Sequence, residues 1–284
     1  MDISTLEDHR TDHPLARGVP PDWACEWAED EFGVQAGFAV GQVVHRLRWI
    51  PPWRFWMGSP EDETGRFDGE GPRHLVTITQ GFWLGEVPCT QALWEVVMGE
   101  YPSHFQGEKT QDDQDAERPV EQVSWEECQA FTKRLGEVLR SPGWRLPWES
   151  QWEYACRAGT EEATYGGGWA SDEEARRVLD GIGWYGENSK SQTHVVGQKR
   201  ANAWGLYDML GNVWEWCGDG DRQYETRAAP DPRGSDLGSL RVLRGGSWLG
   251  GARFVRAAFR YAYHPSIRFR TFGFRLARGP AGAE

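Results

Sequence analysis

The side chains with most chemistry to offer are few and scattered. Cys25, Cys89, Cys128, Cys156 and Cys217 are odd in number, far apart and without a C-x-x-C pair. They read as reduced, mostly buried thiols rather than a disulfide framework. The seven histidines, His9, His13, His45, His74, His104, His194 and His264, contain no HExxH run, and the spaced pair His9 and His13 reads as chance. No phosphate-cradling loop, nucleophile elbow or dinucleotide fingerprint occurs. In "GLYDMLGNVWEW" two carboxylates, Asp208 and Glu215, stand seven apart with Gly211 and Val213 between them. Capping and hydrogen bonds to loop amides are one use for them. The segment Arg241 to Arg278 has nine arginines, no acid and no cysteine. It lacks a carboxylate base and a thiolate, yet its Phe, Tyr, His and Arg side chains give wide contact area with few rotamers to freeze, which suits recognition by contact.

A segment of that kind needs a scaffold. With 284 residues, 39% hydrophobic content, 17 Trp and 12 Phe, the chain can bury the core of one large domain or two small ones. Its formal charge of -12 opposes binding to nucleic acid or anionic lipid over the whole surface. A nucleic-acid groove would also need basic residues beyond the one arginine-rich segment. The opening "MDISTLEDHRTDHPLARG" has no apolar signal core, and no window reaches the length of a membrane span. Those features predict a cytoplasmic protein, with display at the cell surface by an unseen route left open.

Local patterning predicts the elements. Residues 1–22 read as a loose arm. Short apolar runs broken by Gly and Pro-Pro from Phe32 to Met57 predict a strand meander, a turn-rich loop follows at residues 61–74, and "HLVTITQGFWLGE" predicts two more strands. Thr90 caps a helix closed by Gly99, Ser124 and Glu127 form a capping box for a second, and Pro147 and Gly159 bracket a third. Residues 100–118, 159–183 and 217–240 show no helix or strand period and read as long loops held by side-chain or metal contacts. The expectation is an α+β domain with little regular structure.

Six runs, "FWMGSPEDE", "PVEQVSWEECQAF", "WRLPWESQWEYACRAGT", "NAWGLYDMLGNVWEW", "RVLRGGSW" and "GFRLA", occur in the order found in the formylglycine-generating-enzyme, or sulfatase-modifying-factor, domain, and the chain resembles that family from about Trp23 to Arg278. The resemblance implies a C-type lectin-like fold over residues 23–278, with a short tail at 279–284. One departure is Trp148, where the family usually has a helix-capping Thr. The positions matching the family's two copper-binding cysteines hold Gly250 and Val255. Neither offers the sulfur donor that copper(I) requires, so no redox metal is expected. Ser247 keeps its family place. A second branch, the iron-dependent sulfoxide synthases, adds a helical bundle with metal-binding histidines, for which the residues before Trp23 are too few. A metal-dependent oxidoreductase with an altered active site stays open as the alternative. The resemblance also implies that Asp208 and Glu215, with the carbonyls of Gly211 and Val213, hold a structural Ca2+.

The chain is similar above all to the variable proteins of diversity-generating retroelements, which share this fold and whose diversified codons derive from Asn. Residues 241–278 then form the variable region. The resemblance assigns ligand contact to Leu249, Gly250, Gly251, Phe254, Phe259, Tyr261, Ala262, Tyr263, His264, Ile267, Phe269, Arg270, Thr271 and Phe272. All fourteen belong to the set reachable by randomising the first two bases of an Asn codon, which excludes Lys, Glu, Gln, Met and Trp. Strand alternation puts Phe259, Tyr261 and Tyr263 on one face, with exposure expected of Tyr261, Tyr263, His264 and Phe269 and burial of Phe274. Arg253, Arg256, Arg260, Arg268 and Arg275 are expected to pair with carboxylates elsewhere. The function this implies is non-catalytic binding of an unidentified ligand, a protein surface by preference.

Overall fold

Alternating and Gly-punctuated apolar runs become the strands their pattern predicts. In the computed structural model, which describes residues 21–110, 114–235 and 238–279, β1 (Glu26–Asp30), β2 (Gly33–Val40), β3 (Val43–Ile50) and β4 (Trp53–Met57) follow one another, then β5 (His74–Ile78) and β6 (Phe82–Gly85). Residues 1–20 of the expected arm and 280–284 of the expected tail lie outside the described residues. Thr90 Oγ1 accepts from Leu93 N at the start of α1 (Gln91–Met98), which ends in Gly99 with a φ of 75°. The Ser124 and Glu127 box closes on α2 (Trp125–Val138) with both reciprocal hydrogen bonds. The third helix, α3 (Glu149–Arg157), follows the two-residue strand β7 (Trp144–Arg145). Trp148 supplies no side-chain cap, and the buried Asp219 carboxylate accepts from Glu149 N in its place.

The stretch 159–183 corrects the loop expectation, because it holds a fourth helix, α4 (Asp172–Ile182). Ser171 caps it, and Ala175, Leu179 and Ile182 form its buried stripe. The stretch 217–240 is likewise not all loop: β8 (Trp214–Gly220) occupies its start and β9 (Ala229–Pro230) lies within it.

The last 38 residues before the tail carry β10 (Arg241–Arg244), β11 (Arg260–Tyr263), β12 (Phe272–Gly273) and β13 (Ala277–Arg278). Three sheets result, ordered β1-β2-β3-β6-β13-β7, β11-β10-β8-β12 and β4-β5-β9. One apolar cluster joins β2, β3, α1 and α2 through Phe38, Trp94 and Phe131 to Trp216 and Phe274. A second joins β4, β5, α3 and α4 through Met57, Trp152 and Leu179 to Val242 and Val255. The result is an α+β, C-type lectin-like fold with few helices and long connections. Among the described residues no helix is long and apolar enough to cross a membrane.

Candidate functional site

The arginine-rich segment leaves β10 through a glycine pair that no other residue could replace. Gly245 and Gly246 have φ of 94° and 77°, and a Cβ on Gly246 would come within 2.7 Å of the Phe254 carbonyl. That turn seats Ser247 and the buried Trp248, whose indole donates to Arg270 O at 3.0 Å. On one side β10 pairs with β11, Leu243 opposite Tyr261, and on the other with β8. β12 then runs parallel to β8, Phe272 opposite Trp214.

Alternation along β11 puts Phe259, Tyr261 and Tyr263 on one face, as the sequence predicts. They join an unbroken chain of rings: Trp214 to Phe259 at 5.6 Å between centroids, Trp214 to Tyr261 at 6.2 Å, Tyr261 to Tyr263 at 5.1 Å, Tyr263 to Phe269 at 5.5 Å and Phe269 to Phe272 at 5.0 Å. The rings, with Ser247, Leu249, Gly250, Phe254 and Thr271, line a concavity of about 350 Å3. Nine of the fourteen positions singled out in the sequence therefore line a single hollow. Of the other five, Gly251, His264 and Arg270 are exposed and Ala262 and Ile267 half-buried.

Exposure sorts the fourteen. Leu249, Tyr261 and Phe269 are 58%, 46% and 45% exposed, and Gly250, Phe254, Tyr263 and Thr271 are half-buried. Phe259 and Phe272 correct the picture of a uniformly displayed surface: at 5% and 4% exposed they form the floor, wedged against Trp214 and Trp216. Strand alternation fixes which face a side chain takes, not how deep it sits. Phe274 is buried, as expected.

Four of the five framework arginines pair with carboxylates, as expected. Arg256 pairs with Glu63 and Glu70, Arg260 with Glu149 at 2.7 Å, Arg268 with Glu127 at 2.6 Å and Arg275 with Glu215 at 2.6 Å. Burial alone would raise the Glu149 carboxyl, but Arg260 and Arg244 beside it bring it down to about 2. Arg253 departs from the expectation: its guanidinium lies 4.1 Å from the centroid of the Phe67 ring instead of on a carboxylate. Phe67 in turn packs on Phe254 and Phe259.

The predicted calcium ligands Asp208, Gly211 and Val213 lie in the bends before β8 and Glu215 inside that strand, and their carboxylates do not form a cation cradle. Both Glu215 oxygens go to Arg275, at 2.6 and 2.7 Å, and Oε2 also accepts from the Trp152 indole at 2.6 Å. An ion could reach Glu215 only by displacing a buried guanidinium. Asp208 Oδ2 accepts from Gly197 N at 2.7 Å and Oδ1 from the Asn212 amide at 3.3 Å. Burial pushes the Asp208 carboxyl up to about 6, with the Gly197 amide, the Arg275 guanidinium and Asn212 opposing that rise. Gly211 is buried with a φ of 82° and Val213 is packed in the core.

Nor do the copper positions fit copper. Gly250 lines the hollow and Val255 is fully buried, and neither has the side-chain sulfur donor that copper(I) requires. Cys89, Cys128, Cys156 and Cys217 are buried, and burial pushes each thiol up, Cys156 to about 12, away from the reactive thiolate. Sequence reasoning missed three groups here. Trp214 and Phe67 support the rings from outside residues 241–278. Glu121, fully buried, accepts from Phe105 N at 2.9 Å while its other oxygen has no partner, and burial pushes its carboxyl up to about 7. Its neighbour Gln122 donates from N to Phe269 O at 3.0 Å.

The profile of the sulfatase-modifying factor enzyme 1-like domain matches residues 38–280. A formylglycine-generating enzyme of Streptomyces coelicolor is 31% identical over 233 residues, covering 75% of this chain and 69% of the enzyme. The serine/threonine-protein kinase pkn1 of Chlamydia caviae is 34% identical over 168 residues, which are 58% of this chain but only 24% of the kinase. Among solved structures, Treponema denticola variable protein 1 superimposes with a TM-score of 0.78 at 32% identity, covering 87% of this chain and 99% of that one.

Proposed function

The chain belongs to the sulfatase-modifying factor enzyme 1-like domain family, and within that family we propose that it is a non-catalytic binding protein, the variable protein of a diversity-generating retroelement. The observation that carries this reading is convergence. Nine of the positions that the resemblance to variable proteins assigns to ligand contact line one solvent-open hollow of aromatic side chains, the kind of surface that marks an interaction site. The fold likeness to a variable protein supports it. The ligand is a protein surface: the rings offer rigid contact area, while the arginine pairs keep the backbone fixed as side chains change.

Sequencing the surrounding DNA tests the proposal. The expected result is a reverse-transcriptase gene and a near-copy of the segment encoding residues 241–278 that differs from it at adenines. A locus with neither would refute it.

A second reading, an oxidoreductase with altered metal ligands, is favoured by the 31% identity to a formylglycine-generating enzyme. Oxygen consumption with a thiol substrate by copper- or iron-loaded protein would promote it over the first. The absence of a side-chain sulfur donor at Gly250 and Val255 is what places it second.

A further inference from the structure

The hollow is apolar, and its charge sits at the edge. None of its lining residues carries a carboxylate, ammonium or guanidinium group. Arg253 and Arg270, both exposed, each adjoin lining residues in sequence: Arg253 precedes Phe254, and Arg270 stands between Phe269 and Thr271. Both guanidiniums rest on rings, Arg253 at 4.1 Å from Phe67 and Arg270 at 5.4 Å from Trp248, and among the described residues neither has a carboxylate partner. This is notable in a chain of formal charge -12, whose Arg244, Arg256, Arg260, Arg268 and Arg275 are all paired.

From this we infer the chemistry of the partner: a protein loop that inserts one bulky apolar side chain into the hollow and sets carboxylates beside it for Arg253 and Arg270. The inference rests on the reading of the hollow as the ligand site. An exposed guanidinium over a ring and without a carboxylate partner can take a partner's carboxylate in two hydrogen bonds. A ring-lined hollow of about 350 Å3, at the small end of ligand sites, takes an anchoring side chain rather than an extended chain. The surface charge of the partner is thus set opposite to that of this face and like that of the rest of this protein, which selects for binding here and against binding elsewhere. Single-stranded nucleic acid is the less suitable occupant. Two uncompensated arginines on a net acidic protein give a weak track for a phosphate backbone.

The test is an unbiased library of disulfide-closed random loops, selected on the full chain and counter-selected on the Tyr261→Ser/Phe269→Ser variant, with Phe269→Ser alone as a second counter-target in case the double variant is unstable. Enriched loops are expected to carry one large apolar residue flanked by acids. Their affinity is expected to fall roughly three- to tenfold between 0.05 and 0.5 M NaCl, and to lose most of that salt dependence in Arg253→Gln/Arg270→Gln. Loops that depend on Tyr261 and Phe269 but are neutral or basic would overturn this inference and leave the ligand-site reading standing. An oligo-dT probe binding more tightly than any loop would overturn the partner class. No binder that distinguishes the chain from either variant would sink both readings.

Discussion

Tyr261 and Phe272 both line the hollow, and the structure predicts opposite consequences for removing them. Tyr261 is 46% exposed and Phe272 is 4% exposed. Fully burying a large apolar side chain contributes about 1.5–3 kcal/mol, so a ring left half in water contributes about 1 kcal/mol, and Tyr261→Ala is expected to cost that much. Phe272 packs edge-on against Trp216 at 5.3 Å and touches Tyr263 and Phe269. Its truncation leaves a hole in a wall that cannot collapse, a loss of about 3–5 kcal/mol. For a domain of this size 1 kcal/mol moves the melting temperature by about 2–4 °C. Differential scanning calorimetry is therefore expected to show Tyr261→Ala within about 4 °C of the parent and Phe272→Ala lower by roughly 6–20 °C. Equal shifts for the two variants would refute the division between displayed rings and floor.

The remaining predictions concern buried charge and thiols. Arg275→Leu strands the buried Glu215 and is expected to cost about 3–5 kcal/mol in a denaturant titration; adding Glu215→Gln recovers part of it, because an amide still accepts from Trp152. Glu121 has its carboxyl raised from 4.5 to about 7 by burial, so the folded state holds that proton more tightly than the unfolded chain. Its contribution to stability is full below pH 4.5 and is lost as pH rises through 7, a change of about 3 kcal/mol. Denaturant titrations of Glu121→Gln against the parent at pH 4.5 and 8 should differ by that amount in pH dependence, and parallel curves would rule it out. With a thiol reagent at neutral pH, only exposed Cys25 should react in the native protein, and prompt labelling of Cys89, Cys128, Cys156 or Cys217 would contradict their burial.

What could be read from the sequence was what local rules govern. The caps of α1 and α2 act within four residues, and both helices form where Thr90, Ser124 and Glu127 place them. The same logic was available for α4, where Ser171 precedes an Ala175, Leu179, Ile182 stripe, but six charged positions around that stripe disguised it as loop. The hollow's membership was legible through the resemblance to the variable proteins, to which strand alternation adds only the shared face of Phe259, Tyr261 and Tyr263. Its depth was not, since Phe259 and Phe272 are sealed by Trp214 and Trp216 from a distant strand. Long-range pairing was equally hidden. The acid for Arg256 lies 193 residues away at Glu63. Arg275 lies 60 residues beyond Glu215 and takes it from the expected calcium site.

One topological detail bears on how such a chain is made. β13 lies inside the six-stranded sheet between β6 and β7, while β10 joins β8 to β11 in the second sheet. The segment from residue 241 to 278 is thus stitched into both sheets, and it leaves the ribosome after almost everything it must pair with. A premature stop or frameshift between residues 241 and 276 yields a polypeptide missing a central strand, destined for proteolysis instead of a folded but blunted product. Only messages read through the whole of residues 241–278 give durable protein, so proofreading of that stretch is delegated to folding itself.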